Sequence, residues 1–289
     1  MNPTTELAIR LAAFAGVFSV MALWELLAPR RPWAVGRALR WPSNLGILVA
    51  DVLAVRLLLP TAAAGVALVA AERGFGLFHV IGLPFWLAAP IGFLALDLVI
   101  YGQHVMFHHV PWLWRLHRMH HADLDIDVTT GVRFHPVEIL LSLVIKIATV
   151  ALLGIPAAAV VCFEVVLNAT SMFNHANASL PRWLDRVARL MLVTPDMHRV
   201  HHSILRQETD SNFGFNLPWW DRLFGTYRAE PRAGHDGMTI GLPVFRDPGE
   251  LRLDRLLTQP FRQPMDVETK AQSSVKHQSG DTSRMARRL

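Results

Sequence analysis

Long apolar stretches restrict this chain more than any other feature it has. Residues from about Leu7 to Leu27, Leu45 to Ala71, Pro84 to Tyr101 and Val137 to Phe173 are predominantly hydrophobic. Crossing the hydrocarbon of a bilayer takes roughly 20 such residues in a helix. Lipid offers backbone amides no partner, so helices are the form these stretches must take. The last stretch is broken in its middle by Gly154-Ile155-Pro156, which predicts a helical hairpin that returns to the side it left. The expected fold class is therefore all-α: an integral-membrane helical bundle of about four to five spans, including the hairpin, with a histidine-rich cap. Hydrophobic residues make up 52% of the chain, as burial against lipid requires. The expected organisation is membrane spans over 1–101, a histidine-bearing region over 102–262 that contains the hairpin 137–173, and a polar tail over 263–289. The tail's Ser, Gln, Lys and Arg predict disorder. No small-residue cleavage site follows the first stretch, which reads as an anchor and not as a removed signal peptide.

The charges give an orientation. The net charge is +5, and much of the excess sits at Arg30, Arg31, Arg37 and Arg40 and in the last few residues. Arginines clustered beside a hydrophobic segment report membrane topology, not nucleic-acid binding, and place the loop Pro29–Asn44 in the cytoplasm. Two more crossings and the hairpin then bring every histidine group to that same side. Cys162 is the single cysteine, which excludes a disulfide framework and a thiolate metal site. Imidazole, carboxylate and carbonyl remain as ligands.

Three tight histidine groups follow: His104–His108–His109, His117–His120–His121 and His198–His201–His202. Residues three and four apart share a helix face, so the rings within a group can converge, and neutral imidazole is the commonest protein metal ligand. A repeated H-x-x-H-H joined by an H-x-x-x-H predicts a polynuclear metal centre beside a membrane. His109 lies one residue off its stripe and points away. Asp97 and Tyr101 continue the His104–His108 stripe into the membrane. Asp97 there either orients a ligating imidazole or pairs within the bundle. Further expectations concern single side chains. Trp112, Trp114, Trp219 and Trp220 form an interfacial belt. Asp196 caps the last histidine helix. Asp123, Asp125 and Asp127 are a solvated run, or one of them hydrogen-bonds a ligating histidine. Trp220-Asp221-Arg222 braces the cap through a salt bridge. Lys146 pairs with Glu164 across the hairpin, and Asp51 and Arg56 pair or face the bundle.

These residues carry a family resemblance. His104-Val-Met-Phe-His108, His117-Arg-Met-His120-His121, Phe173-Asn-His175-Ala-Asn177 and Thr194-Pro-Asp-Met-His198-Arg-Val-His201-His202-Ser203 resemble the histidine boxes of the fatty acid hydroxylase/sterol desaturase superfamily. So do Asn212-Phe-Gly-Phe-Asn and Trp220-Asp-Arg-Leu-Phe-Gly-Thr-Tyr227. The resemblance runs from about Leu94 to Tyr227. It implies two iron ions held by His104, His108, His117, His120, His121, His175, His198, His201 and His202, with O₂ as co-substrate. It implies hydroxylation or desaturation of a lipid-like substrate. Some relatives have a further histidine about four residues before His175. Here Thr170-Ser171-Met172-Phe173 offers none, and the place falls to His135, to a water on Asn174 or Asn177, or to nothing. His135 alternatively closes a helix N-terminus, with Pro136 at the first helical position.

Nitrogen-rich sites suit iron, zinc, copper or nickel. Structural zinc needs only four ligands and does not activate O₂. The chain shows no glycine-rich dinucleotide loop and no cysteine cluster, so a separate electron-donor protein of ferredoxin or cytochrome b5 type is expected. The expected location is the bacterial inner membrane, with the site on the cytoplasmic side. The alternatives are a membrane zinc-dependent hydrolase, for which no H-E-x-x-H is present, and a metal-handling membrane protein, which would carry histidines along the membrane path.

Overall fold

The computed structural model describes residues 3–59 and 61–263, so the predicted polar tail lies, from residue 264 on, outside the described residues. The described residues contain no strand, only helices and one isolated bridge between Ser203 and Ile240. In chain order the helices are α1 (Pro3–Leu27), α2 (Arg37–Leu58), α3 (Ala62–Arg73), α4 (Leu77–Val80), α5 (Phe85–His109) and α6 (Pro111–His121). Then come α7 (Pro136–Leu153), α8 (Ala157–Asn174), α9 (Arg182–Ala188), α10 (Pro195–His201), α11 (Arg206–Thr209), α12 (Trp219–Leu223), α13 (Gly234–Gly237) and α14 (Leu253–Thr258).

Among the described residues, five helical segments are long and apolar enough to cross a membrane: α1, the run from Arg37 to Val80, α5, α7 and α8. The apolar stretch 45–71 is not one rod. Helix α2 stops at Leu58, with Leu59 out of helical geometry (φ −135°, ψ 58°), and α3 starts at Ala62. The predicted hairpin is α7–α8. Its turn is Gly154, the left-handed cap of α7 (φ 69°), a conformation that suits glycine. This turn packs on Gly76, where a Cβ would stand 2.4 Å from the Gly154 nitrogen. The turn at Gly76 therefore lies at the far end of the hairpin from His135 and His175. Prolines set the other starts, with Pro111, Pro136 and Pro195 in the first turns of α6, α7 and α10, where a missing N–H costs nothing.

The bundle core is Leu96, Ile100, Val150, Ile155, Val160 and Phe163, drawn from α5, α7, the hairpin turn and α8. Leu57, Leu58 and Leu152 face outward, as lipid permits. Glu164 binds Lys146 at 2.7 Å and also Arg10 of α1 at 2.7 Å, so one buried carboxylate ties α1, α7 and α8 together. Asp51 faces the bundle as expected, whereas Arg56 is exposed on α2.

The ends of α5, α6, α8 and α10 and the start of α7 gather on one side, under a cap. The arginine loop lies there too, folded in. Arg40 is fully buried and grips Asp123 through two nitrogens at 2.6 and 2.7 Å, and Asp127 at 2.6 Å. Arg133 adds a contact to Asp123 at 3.2 Å. The acidic run is thus no solvated face: Asp123, Asp125 and Asp127 are all buried. Burial would raise the Asp123 pKa, but Arg40 and Arg133 outweigh it and hold the carboxyl well below the usual range. Asn177 locks the loop to the end of α8 by accepting from Arg31 N at 3.0 Å and donating to its carbonyl at 2.9 Å.

Candidate metal centre

Nine histidines converge beneath the cap in two sets. His104, His108, His117, His121 and His201 offer nitrogens that all lie within 4.8 Å of one another, and so do His120, His175, His198 and His202. All nine are buried. Helices α5, α6 and α10 feed the first set. Helix α6, the end of α8 and α10 feed the second. The H-x-x-H-H segments are split between the sets: His117 and His121 turn to one and His120 to the other, while His201 and His202 part in the same way.

Six rings have their Nδ1 engaged on the outside. His104 donates to the Phe213 carbonyl at 2.7 Å, His120 to that of Arg133 at 3.0 Å, His175 to that of Ser171 at 2.7 Å and His201 to that of Ser211 at 2.7 Å. His117 donates to Glu138 at 2.6 Å and His108 to Asp210 at 3.2 Å. These acceptors fix the proton on Nδ1 and leave the Nε2 lone pair pointing inward. In the first set, the Nε2 atoms of His104 and His117 then stand 3.1 Å apart, and in the second those of His120 and His175 are also 3.1 Å apart. Lone pair facing lone pair is repulsive unless a cation lies between them. Protonation is no remedy, because burial, reinforced by neighbouring imidazoles, pushes His120, His121, His198 and His202 well below the ordinary imidazole value, and His175 to about 4. The Nε2 atoms of His108, His201 and His202 have no partner at all. The donor set fits two metal ions, one per set.

Other expected site residues lie elsewhere. His135 closes α7, accepting from Val137 N at 3.2 Å, and belongs to neither set. Asp97 accepts from Trp220 Nε1 at 2.8 Å and from no imidazole, because α12 tucks under the site and reaches it first. Asn174 donates to the Phe215 carbonyl, and Asn177 holds the arginine loop. His109 is exposed. Thr194, not Asp196, caps α10, and Asp196 pairs with Arg199 and Arg30. Asp221 accepts from the Phe213 and Gly214 amides at 2.8 and 2.9 Å, and Arg222 lies over the Tyr227 ring, so no salt bridge joins them. Trp114 leaves the interfacial belt for the site: its ring centroid is 5.0 Å from His108 and 5.5 Å from His121. Glu138 and Asp210 were not singled out as site residues. Of the two, Glu138 is the one with a local sequence signal, since it closes the short string His135-Pro136-Val137-Glu138.

A membrane helical bundle whose cap gathers nine buried imidazoles in two groups that could each hold a metal ion is the class that fold and site define. Residues 89–226 match the family model for fatty acid hydroxylase, and the chain carries a domain of that family. It is similar to ornithine lipid hydroxylase OlsE of Rhizobium tropici, 31% identical over 144 residues that make up 49% of this chain and 42% of that protein. It is similar to human (Homo sapiens) alkylglycerol monooxygenase, 30% identical over 53% of this chain and 33% of the relative. Rattus norvegicus cholesterol 25-hydroxylase is 28% identical over 48% of this chain and 46% of its own. The chain thus spans less than half the length of these relatives. No solved structure matches.

Proposed function

We propose that the protein is an oxidoreductase performing O₂-dependent hydroxylation, or desaturation, of a lipid-like substrate at a di-iron centre held by the nine histidines. The facing Nε2 pairs, two in each set at 3.1–3.2 Å, carry the reading, since they call for a cation in each set. Bound redox-active ions would supply O₂ activation and hydrogen abstraction from an unactivated C–H bond, which zinc would not. In hydroxylation, one oxygen atom of O₂ enters the C–H bond, and two electrons and two protons carry the other away as water. The named relatives act on an ornithine lipid, an alkylglycerol and cholesterol, and we carry over only the class, a membrane lipid.

The chain's own residues bind and orient. Phe215 stands 5.0 Å from His104 and 6.1 Å from His198, one histidine from each set, and also packs on the bundle core. Phe134 stacks on His120 at 4.4 Å. These two half-buried rings form the apolar wall through which an acyl or sterol carbon meets the site from the membrane side. On the opposite side a surface hollow lined by Trp114, Arg118 and Arg206 places an aromatic ring against His108 and His121. We assign electron entry from a separate, acidic donor protein to that face. The arginines around the cap support a cytoplasmic site in a bacterial inner membrane.

The test is direct. Purified protein holds about two irons per chain, and lipid extracts of cells making it contain a species heavier by one oxygen or lighter by two hydrogens. Replacing His120 with Ala removes metal and the new lipid while the protein stays in the membrane. Zinc alone, with no lipid changed in mass, would sink the reading.

A further inference from the structure

Beside the metal cradle lies a second hollow, of about 610 Å³, between α9, α10 and α12. Five arginines line it: Arg30, Arg182, Arg186, Arg189 and Arg222. Against them stand three carboxylates, Asp185, Asp196 and Glu230. With His235 neutral, because burial lowers its pKa, two positive charges remain in excess.

The carboxylates are already engaged. Asp185 holds Arg189 at 2.7 Å, Asp196 meets Arg199 and Arg30, and Glu230 Oε2 lies 2.9 Å from His235 Nε2. Arg222 donates to the Arg189 carbonyl at 3.0 Å. Arg182 and Arg186, both exposed on α9, meet no acidic group within ion-pair distance among the described residues. They carry the excess charge together with Arg222, whose partner in the hollow is a carbonyl and not a carboxylate.

The depth of the hollow says what can reach it. Trp220 of α12 is hydrogen-bonded to Asp97, which lies seven residues before His104 on α5, about 10 Å further toward the membrane. Helix α12 therefore dips below the metal cradle. Its Leu223 is 69% exposed, and the adjoining Phe224 56%. On α9 and just beyond it, Trp183, Val187, Leu190 and Met191 are exposed as well. A rim of exposed tryptophan, leucine and phenylalanine is what a segment set at headgroup level presents to lipid. Arginines inside such a rim face the phosphates.

We propose that this hollow binds the phosphate-bearing headgroup of an anionic membrane lipid. Arg182 and Arg186 supply part of the unbalanced charge, while Arg189 and Arg222 form the preset wall. The site stands independently of the catalytic reading, since its test reads bound lipid and not turnover.

The experiment is native mass spectrometry of the full-length protein in detergent, offered equal amounts of dioleoylphosphatidylglycerol and dioleoylphosphatidylcholine. The wild type retains phosphatidylglycerol preferentially. The double variant Arg182→Gln/Arg186→Gln loses that preference by roughly 25-fold, at about fivefold for each arginine, with metal content and circular dichroism unchanged. Arg252→Gln/Arg255→Gln removes the same charge from exposed positions on or beside α14 and leaves the preference as it was. Equal loss in both variants would overturn the proposal, because general surface charge would then explain the binding. Displacement of phosphatidylglycerol by inorganic phosphate at matching concentration would overturn it too, since the hollow would then take phosphate without the lipid.

Discussion

Six histidines of the cradle depend on what holds their far side. Four of the six outward acceptors are backbone carbonyls, so mutation of the residues that bear them leaves the acceptor in place. Glu138 is different, because its carboxylate, 2.6 Å from His117, is the acceptor itself. Glu138→Gln keeps the shape and removes the charge. We expect metal affinity to fall 10–100-fold, measured by competition with a chelator, with His135→Ala as the contrast. His135 caps a helix, so its loss costs stability and leaves the metal stoichiometry intact. Unchanged affinity in the first variant, or lost metal in the second, would reverse these assignments. At this scale the sequence is informative about the rings and uninformative about their supports. Spacings of three and four put His117, His120 and His121 within one turn, which is a local property. The division of that turn between two sets is not local, and carbonyl acceptors such as that of Phe213, 109 residues from His104, have no side-chain signature.

Between elements, the buried Arg40–Asp123–Asp127 contact fastens the start of α2 to the loop that follows α6. Arg133 joins the same network while its carbonyl holds His120. Structure and site are thus held by one set of charges. Arg40→Met strands Asp123 and Asp127 in the interior. Breaking a buried pair in this way destabilises by roughly 3–5 kcal/mol, which we expect as a lower thermal unfolding midpoint in detergent together with weaker metal retention. Removing both sides, Arg40→Met with Asp123→Leu, recovers part of the loss. A single variant as stable as wild type would show that the network contributes nothing. The acidic run looks solvated in sequence because its partner lies 83 residues away on another helix. The hairpin and the spans were legible because length, hydropathy and Gly154 are local. The interruption of the second stretch after Leu58 is something the apolar count alone passes over.

For the molecule as a whole, a polar site has been set against an apolar bundle, and bound metal would make that arrangement stable. Without cations, inward lone pairs oppose one another at 3.1 Å in both sets. The stripped protein could relieve this by protonating rings, but burial opposes it, as the shift of His175 to about 4 shows. The direction with pH follows. An unfolded imidazole titrates near 6.5, whereas the folded one resists charging, so the unfolded chain binds more protons as the pH drops from about 6.5 toward 4. The stability contributed by neutral, buried rings is full above that window and is lost as pH falls through it. Bound metal displaces the same protons and lowers the ring pKa further, so it protects the folded state while it stays bound. We therefore expect chelation to lower the thermal midpoint at pH 7.5, and the chelated protein to lose further stability steadily between pH 6.5 and 4.5. The metal-loaded protein should hold its midpoint until the metal itself dissociates on the acid side. The check is a melting series in detergent, with metal measured in parallel. Equal midpoints for loaded and stripped protein at pH 7.5 would mean that the nine rings are not held together by ions, and the functional reading would have to be abandoned with them.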